Sequence, residues 1–409
     1  MGMNETPSGE RLHIGFFGRR NVGKSSLVNR VTGQDLSVVS EVKGTTTDPV
    51  KKAMELLPLG PVVIIDTPGL DDEGQLGELR VKKARQVLNR VDVALLVADG
   101  TEGLGQPERE LLQLFRDKQI PFLIAFNKAD LLSAAEREAL LRAAETEGKA
   151  LLVSARENWQ IWELKEEIGR LASRKGPDKR LVADLVRPSD FVVLVIPIDK
   201  AAPKGRLILP QQQTIRDILD AGGRAVMVKE DELAATLEAL REKPALVITD
   251  SQVFGKVAAV TPTEIPLTSF SILFARYKGM LLYAVEGAAA LKKIRTGDRI
   301  LISEGCTHHR QCGDIGTEKL PTMIRKYTGE EPEFVFSSGQ DFPDDLSGIR
   351  LVIHCGGCML NDREMEYRMK TAADHKIPMT NYGTAIAFMQ GILGRSVDMF
   401  PAARALLEA

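Results

Sequence analysis

Short apolar runs recur along the chain, each closed by a polar or glycine-bearing stretch: Leu12–Phe17, Val62–Ile65, Phe122–Phe126 and Leu151–Val153. Runs that stay apolar at successive positions belong to strands buried on both faces, so they predict a parallel sheet with helical cover. A polar break at Lys175-Gly176-Pro177-Asp178-Lys179-Arg180 reads as a linker. Beyond it the pattern alternates: strand Phe191–Ile196, helix Gln211–Ala221, strand Arg224–Val228, helix Asp231–Leu240, strand Ala245–Ile248. After Pro262 and Pro266 it turns helical, at Ile272–Ala275 and Leu281–Leu291. Two strands follow, Arg299–Ser303 and Arg350–Ile353, and then an amphipathic helix, Asn361–His375, with Asn361 as its N-cap. The reading is an α/β protein of three domains: residues 1–175 with a mostly parallel sheet, a small α/β domain over 176–266, and a third α/β domain over 267–409.

Composition narrows the partners. The 409 residues carry a net charge of −2 with 27% charged residues, which provides no basic field for a nucleic-acid backbone. No apolar run reaches the roughly 18–20 residues that cross a bilayer, and Met1 to His13 lacks the apolar centre of a secretory signal. The expectation is a cytoplasmic protein with no nucleic-acid and no membrane partner. Thiols stay reduced in that compartment. Met1-Gly2 with Thr6 fits a short myristoylation pattern, which recurs by chance and is set aside.

The first apolar run leads into Gly18-Arg19-Arg20-Asn21-Val22-Gly23-Lys24-Ser25-Ser26, a G-x-x-x-x-G-K-S loop between strand and helix. Its glycines let backbone N–H groups face phosphates, Lys24 neutralises the β and γ oxygens, and the Ser25 hydroxyl ligates magnesium. Gly18, Asn21, Val22, Gly23, Lys24, Ser25 and Ser26 make up the phosphate-binding set. His13, inside the strand, reads as a core histidine.

Four further elements specify GTP. Asp66-Thr67-Pro68-Gly69 follows a buried strand: Asp66 holds magnesium through water and the Gly69 N–H senses the γ-phosphate. Gly44-Thr45-Thr46-Thr47-Asp48 is the switch segment, with Thr46 the magnesium ligand. In Asn127-Lys128-Ala129-Asp130 the Asp130 carboxylate accepts both donors of the guanine edge, which adenine does not present. Ser154-Ala155 contacts the guanine oxygen through its backbone. The catalytic set is then Lys24, Ser25, Thr46, Asp66 and Gly69.

Taken together, residues 12 to about 172 resemble the Era/TrmE group of translation-factor-related GTPases. The resemblance implies a Ras-like P-loop GTPase domain, with GTP and Mg2+ as its ligands. Leu70 stands where Ras-like enzymes carry a water-orienting glutamine. Asn21 matches the asparagine that, in potassium-activated members of the group, holds K+ beside the phosphates in place of an arginine finger; its other reading is that it merely shapes the loop.

All four cysteines fall in the last third, at 306, 312, 355 and 358. Cys306-Thr307-His308 and His354-Cys355-Gly356-Gly357-Cys358 are two soft-ligand groups, each just after a predicted strand and with 45 residues between His308 and His354. Parallel sheets bind ligands at the carboxyl ends of their strands, so both groups are expected to converge on one metal site. Zinc, an iron–sulfur cluster, and buried or redox-active thiols all remain open from spacing alone. The middle segment carries no catalytic constellation and suits self-association.

A switch GTPase joined to C-x-H and H-C-x-x-C resembles the HydF family of FeFe-hydrogenase maturation GTPases, over all three segments. The resemblance implies a homodimeric scaffold with a GTP-binding domain, a dimerisation domain and a cluster-binding domain. A 4Fe-4S cluster would sit on Cys306, Cys355 and Cys358, with His308, His354, Asp314 or water as fourth ligand and Cys312 outside the motif. The partners implied are the radical-SAM maturases HydE and HydG and the apo FeFe-hydrogenase, which would receive the two-iron subcluster of the H-cluster. The alternative is a ribosome- or RNA-assembly GTPase with a C-terminal structural zinc module, which requires a basic or aromatic RNA face.

Overall fold

The computed structural model describes residues 6–34, 50–67, 86–172, 179–198, 207–305, 314–339 and 341–408. The chain forms two compact units, Met1–Pro177 and Asp178–Ala409, which divide inside the predicted linker.

The first unit is built on six strands: β1 Leu12–Phe17, β2 Val50–Leu56, β3 Gly60–Asp66, β4 Val93–Asp99, β5 Phe122–Asn127 and β6 Ala150–Leu152. Their order is β2-β3-β1-β4-β5-β6, parallel except for β2, which runs antiparallel to β3 at the edge. Strand β4 explains the two-sided burial. Its Val93, Leu95 and Val97 enter one apolar cluster with Ile14, Phe16 and Leu27, while Ala94, Leu96 and Ala98 enter a second with Phe17, Ile65 and Phe115. Alternate residues thus face helices on opposite sides, the layering expected of a doubly wound sheet. The helices Lys24–Thr32, Gln106–Asp117, Ala134–Ala144 and Ile161–Ala172 provide the cover.

Two all-parallel sheets make up the second unit. One contains β7 Phe191–Val195, β8 Arg224–Val228, β9 Leu246–Thr249 and β10 Leu267–Ser269, in the order β10-β9-β7-β8. The other contains β11 Arg299–Glu304, β12 Glu333–Ser338, β13 Ile349–His354 and β14 Met379–Asn381, in the order β12-β11-β13-β14. A single apolar cluster includes Val193 and Ile248 of the first sheet and Leu301, Val352 and Met379 of the second, together with Phe254 and Phe274 of intervening helices. The opposite face of β11 and β13, through Ile300, Ile302, Leu351 and Ile353, packs on Leu320 and Ile324 of helix Leu320–Thr328. Strands β11 and β13 are neighbours with Ser303 opposite His354, so their carboxyl ends finish side by side.

Candidate nucleotide and metal sites

In the first unit the phosphate loop leaves β1 and enters helix Lys24–Thr32. Gly18 has φ +153°, and a Cβ there would lie 2.3 Å from the Val97 carbonyl oxygen; Gly23 has φ +82°, and its Cβ would meet Asn127 Nδ2 at 2.3 Å. Both positions exclude a side chain on contact and conformation alike. Asn21 also takes a left-handed φ of +61°, a conformation asparagine tolerates better than most residues.

Asn127 ties the site together. Its Nδ2 donates to the Val22 carbonyl at 3.0 Å and to that of Gly23 at 3.4 Å, and its Oδ1 accepts from the Ala155 N–H at 3.0 Å. One buried amide therefore links the phosphate loop to both guanine motifs. Asp130 accepts from Ser154 Oγ at 2.6 Å, and Lys128 Nζ donates to Asp99 Oδ2 at 2.5 Å. Lys24 Nζ pairs with Asp66 Oδ1, and Ser25 Oγ donates to Asp66 Oδ2 at 3.4 Å, so all three converge on one spot. Gly23, Ser26, Lys128, Asp130 and Ala155 line a cleft of about 970 Å³. The sequence reading missed Arg19, whose Nε and Nη2 bond Glu108 at 2.5 Å and Glu102 at 2.8 Å, anchoring the loop to helix Gln106–Asp117. Thr46 and Gly69 lie outside the described residues.

In the second unit β13 ends at His354, and Cys355 follows it beside the end of β11. The Cys355 N–H donates to the Ser303 carbonyl at 2.9 Å, and Cys355 Sγ accepts from the Gly305 N–H at 3.1 Å and the Gly357 N–H at 3.4 Å. Gly305 directly precedes Cys306 in the chain. Cys306, His308 and Cys312 themselves lie outside the described residues. Cys355 and Cys358 are free thiols. Burial pushes the Cys355 thiol up, and burial followed by the nearness of Cys355 pushes Cys358 up to about 11. A buried thiolate is costly in the metal-free protein and becomes favourable once a cation neutralises it. This pair, with backbone N–H groups on one sulfur, suits a soft metal or an iron–sulfur cluster. Among the described residues no group of three or more His, Cys, Asp or Glu is placed to hold a metal ion, so these residues supply two thiolates and not a full ligand set.

The two remaining described candidates differ. Asp314 accepts from Thr317 through both N–H and Oγ1, at 2.8 and 2.9 Å, capping the turn that follows it. His354 is fully buried, with Nδ1 against the Cys355 carbonyl at 2.7 Å and Nε2 against Arg368 Nη1 at 2.9 Å. A guanidinium only donates, so Nε2 accepts and the proton sits on Nδ1. Both ring nitrogens are committed, which withdraws His354 from the candidate fourth ligands. Burial, then the Arg368 charge, lowers its pKa to about 3.

Three family models match the chain: "Hydrogen maturase F dimerization domain" over residues 181–279, "Hydrogen maturase F tetramerization domain" over 282–399, and "50S ribosome-binding GTPase" over 13–128. The chain belongs to the hydrogen maturase F family. Its family models name two association domains, which points to oligomerization. The chain is also similar to GTPases outside the hydrogen maturase family. The tRNA modification GTPase MnmE of Dechloromonas aromatica is 35% identical over 163 residues, 39% of this chain and 35% of that protein. GTPase Der of Kosmotoga olearia is 28% identical over 242 residues, 56% of this chain and 53% of that protein. GTPase Era of Carboxydothermus hydrogenoformans is 32% identical over 168 residues, 40% of this chain and 56% of that protein. The chain thus spans about a third to a little over half the length of these relatives. No helix among the described residues is long and apolar enough to cross a membrane.

Proposed function

We propose that this maturase-family chain is a GTP-hydrolysing scaffold that carries a 4Fe-4S cluster on Cys306, Cys355 and Cys358. It assembles or delivers the two-iron subcluster of the H-cluster to apo FeFe-hydrogenase. The observation that carries the reading is the meeting of β11 and β13: the N–H of Gly305, the residue before Cys306, lies on Cys355 Sγ at 3.1 Å. The residue that precedes the first cysteine group in the chain thus touches the second group, which supports bringing both to one sheet edge. A cubane held by three thiolates supplies one iron with an exchangeable position, the property a transfer scaffold needs. His308, Asp314 and water remain as partners for that position.

Within the first unit, Lys24 and the loop amides bind the phosphates, Ser25 and Thr46 hold Mg2+, Asp66 orients its water, and Gly69 reads the γ-phosphate. Asp130, held by Ser154, selects guanine, with Asn127, Lys128 and Ala155 framing the base. Asn21 holds K+ beside the phosphates. Residues 1–175 form the GTP-binding domain, 176–266 the dimerisation domain and 267–409 the cluster domain of a cytoplasmic homodimer served by HydE and HydG. The ribosome- or RNA-assembly reading is not favoured, because the two models that match the second unit are hydrogen maturase models.

Activation of purified apo FeFe-hydrogenase tests the proposal. The chain, expressed anaerobically with the two radical-SAM maturases and then isolated, should confer hydrogenase activity, and its Cys355→Ser variant should not. Equal activation by the two proteins would overturn the scaffold role.

A further inference from the structure

Arg368 has the largest fully buried side chain described in the protein, and nothing in its sequence context singles it out. It lies one helical turn after Glu364 on helix Asp362–Asp374, which begins four residues past the last cysteine. All five of its N–H donors have partners. Nε and Nη2 bond Glu364 Oε1 at 3.0 and 2.8 Å, Nη2 also bonds the Gly339 carbonyl at 2.6 Å, and Nη1 bonds Ser303 Oγ at 3.2 Å and His354 Nε2 at 2.9 Å. Phe342 covers the guanidinium at 5.1 Å.

A fully buried ion pair contributes little net stability, since desolvation offsets most of the attraction. Its placement suggests another use. Ser303 presents its carbonyl to the Cys355 N–H, and His354 presents Nδ1–H to the Cys355 carbonyl. Arg368 therefore grips the two residues that fix the Cys355 backbone from both sides. Glu364 approaches the guanidinium through Nε and Nη2 while His354 approaches through Nη1, so the cation stands between the carboxylate and the cysteine turn. A second cation completes the arrangement: Lys278, 3% exposed, bonds the Leu360 carbonyl at 2.9 Å and Asp362 at 3.2 Å, close enough to Cys358 to favour its thiolate.

We propose that Arg368 is the positioning residue of the cysteine site, acting through His354 on Cys355 and setting the charge felt by a cluster bound there. The proposal rests on the reading that Cys355 and Cys358 hold a 4Fe-4S cluster. A fixed cation behind a thiolate-ligated cluster favours its more negative, reduced form, since charge and hydrogen bonding around the sulfurs tune such potentials. Removing the cation and removing its carboxylate partner must then shift the reduction equilibrium in opposite directions.

The test uses the full-length chain, reconstituted anaerobically with iron and sulfide, and redox titration followed by electron paramagnetic resonance. Arg368→Met should disfavour reduction by about tenfold, equivalent to 59 mV for one electron. Glu364→Gln, which keeps an acceptor for Arg368, should favour reduction. A purely structural role would move both in the same sense or neither, and either result overturns charge setting. In parallel, 15N spectra of the metal-free chain labelled at histidine should show one residue locked as the neutral Nδ1–H tautomer, a signature lost in Arg368→Met. Its persistence in that variant, or an Nε2–H form in the wild type, overturns positioning. A wild-type chain that binds no iron overturns the cluster reading and the charge-setting part with it, while the histidine spectra still decide the positioning part.

Discussion

Replacing Asn127 with alanine should uncouple phosphate binding from guanine binding. The side chain makes two bonds of 3.0 Å, one to the Val22 carbonyl and one from the Ala155 N–H, and it is 3% exposed. Truncation leaves both partner groups without a bond, at about 1–3 kcal/mol each. Water entering from the adjoining cleft recovers part of this, so the lower end applies, about 2–3 kcal/mol in all. Because one amide orders both motifs, the freed loop has to be reordered whenever nucleotide binds. The cost then appears in affinity, as a loss of roughly 30- to 150-fold for GDP. Asn127→Asp is the informative companion: it keeps an acceptor for Ala155 but sets a carboxylate against the Val22 carbonyl, and should bind at least as poorly as alanine. Fluorescent-GDP titration at fixed magnesium measures the constants, with circular dichroism to confirm folding. A folded alanine variant within threefold of the wild type would refute the coupling through Asn127.

Three further outcomes are expected. Asp130→Asn should move nucleotide preference from GTP toward xanthosine triphosphate, whose 2-oxo group needs a donor; competition between the two nucleotides reads this, and an unchanged preference removes Asp130 from base selection. Hydrolysis should run faster in KCl than in NaCl at equal ionic strength and lose that difference in Asn21→Ala, as followed by phosphate release; equal wild-type rates in the two salts would leave Asn21 as a loop-shaping residue only. Lys24→Ala should abolish hydrolysis while leaving iron content intact, because the two sites belong to different compact units; loss of iron would contradict that independence.

The GTPase fold and the strand-end positions of Gly18, Asp66 and Asn127 were legible in the sequence, because each follows or closes an apolar run. What escaped is what the motifs hold one another with. Nothing in Asn127-Lys128-Ala129-Asp130 says that Asn127 turns back on Val22, since that bond spans more than a hundred residues. Arg19 and Glu108 were equally silent, because a pair of loop arginines and a helix-start glutamate read as solvated surface. In the second unit the convergence of β11 and β13 followed from two apolar runs, each ending at a cysteine motif. Strands β10 and β14 have three residues each, too few for a period to register. The Glu364–Arg368 pair has the i,i+4 spacing of an ordinary surface ion pair. Only the packing against Phe342, Ser303 and His354 shows that it is buried. The same packing removed His354 from the ligand candidates, a distinction that residue type and spacing could not make.

Metal and sulfide analysis of the anaerobically purified chain, together with its Cys355→Ser and Cys358→Ser variants, decides whether Cys355 and Cys358 hold a 4Fe-4S cluster. The wild type should contain about four irons and about four sulfides per chain, with a reduced-cluster paramagnetic signal that both serine variants lose, since two remaining thiolates rarely hold a cubane. Stoichiometric zinc without sulfide in the wild type, or an undiminished cluster signal in both variants, would contradict it.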